Sequence, residues 1–423
     1  MKKSFLPLIS LLVLLCSSME LSAQQSDQEA TVADTTTNPK RNILDNDFGK
    51  FGKLKVSGYI QMQYQHSSQE SMLDAISSTQ YAPQDNNRFS IRRGRLKLDY
   101  TIGFASVVFQ TDISEDGVKA TDAYIGLQSK NKIFSGKLGL AEIPFGYELG
   151  YSSTQLESAE RSRIYQSFFP GERDLGVQGS VNYAGFSLSA GVFNGTGISS
   201  DNDSRKDFAG RLDYTYEFKN KGKLSAALSY YYGSILNSDD SHFIWQEGQG
   251  YVEKNNDYYT FSKREYIGTA LRYENKDWKI GRTYLVGEFL WGSEPGLQNA
   301  NRNVAGGFYP SYGVLPIFER PFTGGYAMLA QTIGDSRHVA VLKYDYYDPN
   351  RMVSGDDIGL LDYTGYVDLQ YSTYGVGYIF EWSKYFRIMA YYDFVVNEES
   401  ANLVGYDTQR YDNFFTLRFQ AKF

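Results

Sequence analysis

Past residue 16 the chain contains no cysteine, because Cys16 is the only one among its 423 residues. That excludes a disulfide, a thiolate metal site and a catalytic thiol from everything downstream. Histidine is almost as scarce. His66, His242 and His338 lie far apart, at no spacing that sets one beside another metal ligand or a nucleophile. A Walker motif and a GxGxxG loop are both absent, so nothing calls for a cofactor or points to an enzyme. The net charge of −7 gives no reason to expect a nucleic-acid partner.

Long apolar runs are lacking too. Phe5 to Leu15 is the longest such stretch, well short of the roughly 18–20 residues a spanning helix needs. It sits between Lys2-Lys3 and Leu21-Ser22-Ala23, the layout of a cleaved secretory signal over 1–23. Val13-Leu14-Leu15 offers no small residue before Cys16, which argues against lipidation there. Losing Lys2, Lys3 and Glu20 with the signal moves the net charge from −7 to −8.

What remains is rich in tyrosine (36) and glycine (40) and poor in proline (10). Residues 24–52 are polar and without periodicity, and read as a disordered periplasmic N-terminal tail. From Lys53 the text alternates with period two. Leu54, Val56, Gly58, Ile60, Met62 and Tyr64 share one face, opposite Lys55, Ser57, Tyr59, Gln61, Gln63 and Gln65. Phe208, Gly210, Leu212, Tyr214, Tyr216 and Phe218 likewise oppose Arg211, Asp213 and Thr215. Some sixteen such segments follow, most of about the 9–11 residues a tilted strand needs to cross a bilayer.

Their connections alternate in length. Tight links at Thr101-Ile102-Gly103, Tyr183-Ala184-Gly185, Asn275-Lys276-Asp277 and Gly334-Asp335-Ser336 interleave with long polar stretches near 66–87, 142–172, 194–206, 233–262, 292–322, 347–367 and 397–409. The expectation is an all-β, antiparallel transmembrane barrel over 53–423, with short periplasmic turns and long external loops, in a bacterial outer membrane. The last strand alternates Phe415, Leu417, Phe419, Ala421 and Phe423 with polar residues and ends on Phe423. A terminal Phe of this kind resembles the insertion signal that outer-membrane barrel machinery reads.

Five segments in order, RFSIRRGRLKLDY (88–100), TDAYIGLQ (121–128), GKLGLAEIPFGYELG (136–150), SAERSRIYQSFFPGERDLGVQGS (158–180) and AGVFNG (190–195), resemble the phosphate-selective porin O and P family. The resemblance implies a barrel of about 16 strands, commonly a homotrimer, passing small solutes through a narrowed lumen.

Charges on the lipid face cost roughly 2–4 kcal/mol at mid-membrane, so Leu96, Leu98 and Tyr100 turn outward and Arg93, Arg95 and Lys97 inward. Upstream the parity breaks. Phe89 and Ile91 fall on the lumen side and Arg92 on the lipid side, a conflict that a bulge near Gly94 or a position above the membrane resolves. Loop 142–172 carries Glu157, Glu160, Arg161, Arg163, Glu172 and Arg173, and is the candidate constriction. Arg93, Arg95, Lys97, Arg161, Arg163, Arg173 and Arg211 then form the candidate anion-binding lining, for solutes such as phosphate or polyphosphate. The same parity sends Asp112, Asp213, Glu274, Glu288, Asp345 and Asp393 inward, where they can neutralise these cations.

The competing reading is a non-conducting barrel for adhesion or ligand binding. Its binding surface would be loop 233–262, with His242, Phe243, Trp245, Tyr251, Tyr258 and Tyr259.

Overall fold

The computed structural model describes residues 45–68, 86–115, 117–169, 172–201, 203–218, 222–237, 241–255, 260–297 and 316–423. The signal over 1–23 and most of the tail lie outside these residues. The end of the expected tail is structured: β1 (Asp45–Asp47) pairs antiparallel with β2 (Lys53–Ser67), and a single 3-10 turn, Gly49–Phe51, joins them.

The first half of the barrel continues with β3 (Asn87–Ile102), β4 (Ala105–Ser114), β5 (Gly117–Gln128), β6 (Phe134–Glu142), β7 (Arg173–Tyr183), β8 (Phe186–Phe193) and β9 (Asp207–Glu217). Then come β10 (Gly222–Asn237), a loop hairpin of β11 (Ser241–Gln246) and β12 (Gly250–Asn255), and β13 (Thr260–Asn275). The wall finishes with β14 (Thr283–Gly296), β15 (Ile317–Thr332), β16 (His338–Asp348), β17 (Tyr371–Phe380), β18 (Phe386–Asn397) and β19 (Phe414–Lys422). Every wall strand pairs antiparallel with the next, and β19 returns to β2 from Lys422↔Tyr59 to Phe414↔Ser67. The result is a closed barrel of 16 strands. Closure leaves no edge with unpaired N–H and C=O groups, the condition for strands to sit in hydrocarbon.

The alternation is realised side chain by side chain. On β2, Ile60 and Met62 are exposed on the outer face, whereas Gln61, Gln63 and Gln65 are buried toward the interior. Leu96, Leu98, Phe109, Leu212 and Phe419 face outward in the same way. The break in β3 is a β-bulge: Gln61 pairs with Arg93 and Met62 with Ile91, so Arg92 is the extra residue. The bulge falls two residues before the expected Gly94. It turns Phe89 outward, Ser90 inward, and sets Arg92 and Arg93 together on the lumen side.

Long and short connections alternate with one exception. The β4–β5 link at 115–116 is short although it lies at the long-loop end.

The glycine at position 58 explains how the chain end fits. Gly58 and Phe423 exchange backbone hydrogen bonds at 3.0 and 3.3 Å, and a Cβ on Gly58 would meet the Phe423 ring at 2.7 Å.

Candidate functional site: the loop across the lumen

The chain between β6 and β7 turns into the barrel. A water-filled lumen would leave its residues exposed, yet Phe145, Leu149, Leu156, Ala159 and Ile164 are buried, as are Glu157, Glu160, Arg161 and Arg163. They pack against inward-facing side chains of the wall. A six-residue helix, α1 (Arg163–Phe168), presses Phe168 against Phe322 of β15, with ring centroids 4.3 Å apart. Phe145 and Phe169 join Tyr231 and Tyr266, themselves stacked at 5.0 Å, in the same apolar cluster. Burying several aromatics of ~150–250 Å² each fastens one side of the loop to β10, β13 and β15.

Polar bonds fasten the rest. Gln61 of β2 donates to Ser153 O at 3.0 Å, and Gln420 of β19 to Thr154 O at 3.1 Å. Arg387 of β18 donates to Leu156 O at 2.8 Å. Glu288 of β14 accepts from Tyr147 N and Tyr165 Oη, both at 2.6 Å, and from Glu148 N at 3.1 Å. Ser229 of β10 accepts from Gly146 N at 2.9 Å. Lys343 of β16 pairs with Glu148 at 3.2 Å, and Asp345 accepts from Arg163 N at 2.9 Å.

The densest knot is at Glu160. One carboxylate meets Arg92 at 2.7 Å, Arg418 at 2.6 Å and Arg93 at 3.6 Å. Burial opposes its ionisation, but the three guanidiniums outweigh that and hold the carboxyl well below the usual range. Because Arg418 stands on the last strand and Arg92 and Arg93 on β3, the loop bridges the seam where the barrel closes.

Each candidate lining residue has a definite place. Arg93 bonds Gln61 and Glu160. Arg95 pairs with Asp112 at 2.9 Å. Arg161 turns back into its own loop, donating to Glu148 O at 3.0 Å and Tyr151 O at 2.8 Å and pairing with Glu172. The guanidinium of Arg163 lies over the Tyr371 ring at 4.0 Å. Arg173 joins Asp122 at 3.1 Å, Glu142 at 3.9 Å and Glu172. Arg211 forks onto Asp213 and reaches Gly146 O. Lys97 faces the lumen opposite Gln110 and forms no ion pair among the described residues. Phe423 ends the chain at the β2–β19 seam.

The carboxylates of the loop respond in opposite ways. Glu172, between Arg161 and Arg173, is driven down to about 2 although burial pushes it up. Glu157 forms no ion pair among the described residues, and burial raises its carboxyl to about 7 against the pull of Arg387 and Arg282.

Water-facing surface remains where the loop stops. Gly150, Ser152 and Gln155 are exposed inside the barrel. On the wall from β7 to β10 the lining is hydroxylic, with Ser180 and Ser189 at 2.8 Å and Thr215 and Ser225 at 2.9 Å. Tyr147 and Tyr151 are half-buried, their ring centroids 5.7 Å apart, and Arg272 sits 4.8 Å over Tyr147. Sequence parity had no way to find these tyrosines, since they belong to a loop without period. Among the described residues, no three His, Asp or Glu side chains are arranged to hold a metal ion.

External loops close over one another. Phe243 and Tyr251, from the aromatic loop 233–262, are buried against Phe318 of β15, with centroids at 4.5 and 5.1 Å. Trp245 packs edge-on to Tyr251. Arg320 pairs with the fully buried Asp368 at 3.0 Å and so pins loop 349–370. Tyr258 and Tyr259 lie outside the described residues.

No protein-family model and no curated protein matches this sequence. Solved structures do. The chain is similar to OprB of Pseudomonas putida, at 10% identity and a TM-score of 0.59, over 88% of this chain and 94% of that one. It is also similar to OmpF of Salmonella typhi, at 11% identity and 0.55, covering 88% and 98%. The outer membrane channel DcaP of Acinetobacter baumannii aligns at 12% identity and 0.53, covering 88% and 97%. The chain therefore has the fold of bacterial outer-membrane porins.

Proposed function

We propose that this protein is a porin of a bacterial outer membrane, through which small hydrophilic solutes diffuse passively past the loop 142–172. One observation carries the reading: a polar, partly open lumen is narrowed by an inward loop bonded to nine wall strands. A lipid-facing apolar band around that lumen is what a passive pore requires, and no energy-coupling element is needed. The burial of Phe243 and Tyr251 between loops supports this over adhesion through loop 233–262.

In the finer reading the preferred solutes are anions such as phosphate or polyphosphate, as in the phosphate-selective porin O and P family. Lys97 and Lys137 support it, both on the lumen face and both without an ion pair among the described residues. Arg95, Arg173 and Arg211 weigh less, since Asp112, Asp122 and Asp213 offset their charge. The porin would reach the membrane by a cleaved signal and the barrel insertion machinery, and assemble as a homotrimer like many barrels of this fold.

Conductance in planar bilayers tests the proposal, with reversal potentials under a salt gradient. Steady current with an anion-selective potential supports both levels. A conducting but unselective channel leaves the porin and removes the anion preference. A folded barrel that passes no current overturns the porin.

A further inference from the structure

At the short-turn end of the lumen lies a cavity of about 200 Å³ that the loop and the wall build together. Pockets for drug-sized ligands run to roughly 300–1,000 Å³, so this one suits a single small ring. Its lining includes Tyr151, Gln155 and Glu157 from the loop and Arg282, Glu381 and Arg387 from the wall and its turns, with the exposed Lys384 and Lys422 beside them.

The set is mixed in a telling way. Two carboxylates accept, two guanidiniums donate, and an amide does both. Glu157 is 6% exposed, and its Oε2 has no hydrogen-bond partner, while Oε1 accepts from Tyr151 Oη at 3.3 Å. A buried acceptor left unmade is costly, so the site favours an incoming donor. Arg387 is braced by Glu381 at 3.1 Å and by Leu156 O at 2.8 Å, and Arg282 by Glu274 at 3.0 Å. The ring of Tyr151 is held nearly parallel to Tyr284, 12° apart with centroids at 6.2 Å, which fixes an aromatic plate on one wall.

An inorganic anion drawn by Arg282, Arg387, Lys384 and Lys422 would still meet Glu157 and Glu381, and a simple cation would meet the four basic groups. A hydroxyl group suits both, because it donates to the carboxylate and accepts from the guanidinium. The C–H face of a saccharide ring suits the plate.

We propose that this cavity binds one ring of a neutral saccharide as it crosses the channel, with Glu157 accepting from its hydroxyls and Tyr151 carrying its apolar face. The proposal rests on the porin reading and adds a solute class to it.

The full protein in a planar bilayer, conducting potassium chloride, tests it with maltose and glucose as the added probes. Saturable interruption of the current by either sugar is expected. At pH 8, where the Glu157 carboxyl is mostly ionised, Glu157→Gln should weaken that block about tenfold or more, as loss of a hydrogen bond to a charged group does. Tyr151→Ala should abolish it, and Tyr151→Phe, which keeps the plate, should retain most of it. Each variant's own open-channel current shows that it has folded. A conducting channel indifferent to both sugars overturns the proposal, as does one blocked by inorganic phosphate or glycine but not by sugar. A barrel with no current at all overturns the porin reading, and the saccharide site with it.

Discussion

Glu160 and Arg418 meet at 2.6 Å, an ion pair between the middle of the chain and its last strand. Arg92 and Arg93 share the same carboxylate, so three guanidiniums, those of Arg93 and Arg418 buried and that of Arg92 half-buried, depend on one acid. Breaking a buried pair by removing one partner costs about 3–5 kcal/mol, chiefly because the remaining charges are left uncompensated. Glu160→Gln is expected to lower the urea midpoint of the reconstituted barrel and raise its single-channel conductance as the loop loosens. An unchanged midpoint and conductance would show that the knot is not what holds the loop.

Gly146 adopts φ +61°, and a Cβ there would collide with Tyr165 Oη and approach Glu288 Oε1 at 2.9 Å. Both the backbone and the space therefore require glycine. Gly146→Ala should cost roughly 1–3 kcal/mol through overpacking, and spectroscopic melting should show it. Gly103, which has φ +58° but open space around it, is the matched control and should lose less on the same change.

Stability should depend on pH with two opposed slopes. Glu172 falls from its ordinary 4.5 to about 2 on folding, so its contribution is present above 4.5 and drains away as pH drops toward 2. Glu157 rises from 4.5 to about 7, so the folded state binds the extra proton and stability declines as pH climbs through that interval. Denaturation of the barrel across pH 4.5–7 should show this decline, and Glu157→Gln should flatten it. A variant with the parent's slope would assign the effect to another group.

The extracellular loops should open on loss of Asp368, which is fully buried with Arg320 at 3.0 Å and Asn350 at 2.8 Å. Asp368→Asn keeps the shape and removes the charge. Limited proteolysis of the variant should cut within 349–370 faster than in the parent, with the barrel strands protected in both.

The wall was legible because its physics is local. Lipid on one side and water on the other impose period two, and Ile60, Leu98, Leu212 and Phe419 follow it. The bulge at Arg92 showed as a conflict of parity before its position was known. Where the loop replaces water, the rule changes: Tyr231, Tyr266, Phe322 and Tyr326 point inward and are apolar, because the lumen there is a packed interior. The candidate arginines were legible as charges facing inward but their partners were not. Arg161 answers to carbonyls of its own loop and Arg163 to the Tyr371 ring, contacts set by a fold of the loop that no periodicity encodes.

The knot at Glu160 also sets an order of events. Arg418 follows Glu160 by 258 residues and Arg92 precedes it by 68, so the acid gains its full set of partners only after the final strand exists. Contacts of such separation form late, because a long stretch of chain must be ordered first. A chain lacking β19 would therefore keep its inner loop half-tethered, so the contacts that narrow the channel also tie its constriction to closure of the barrel wall.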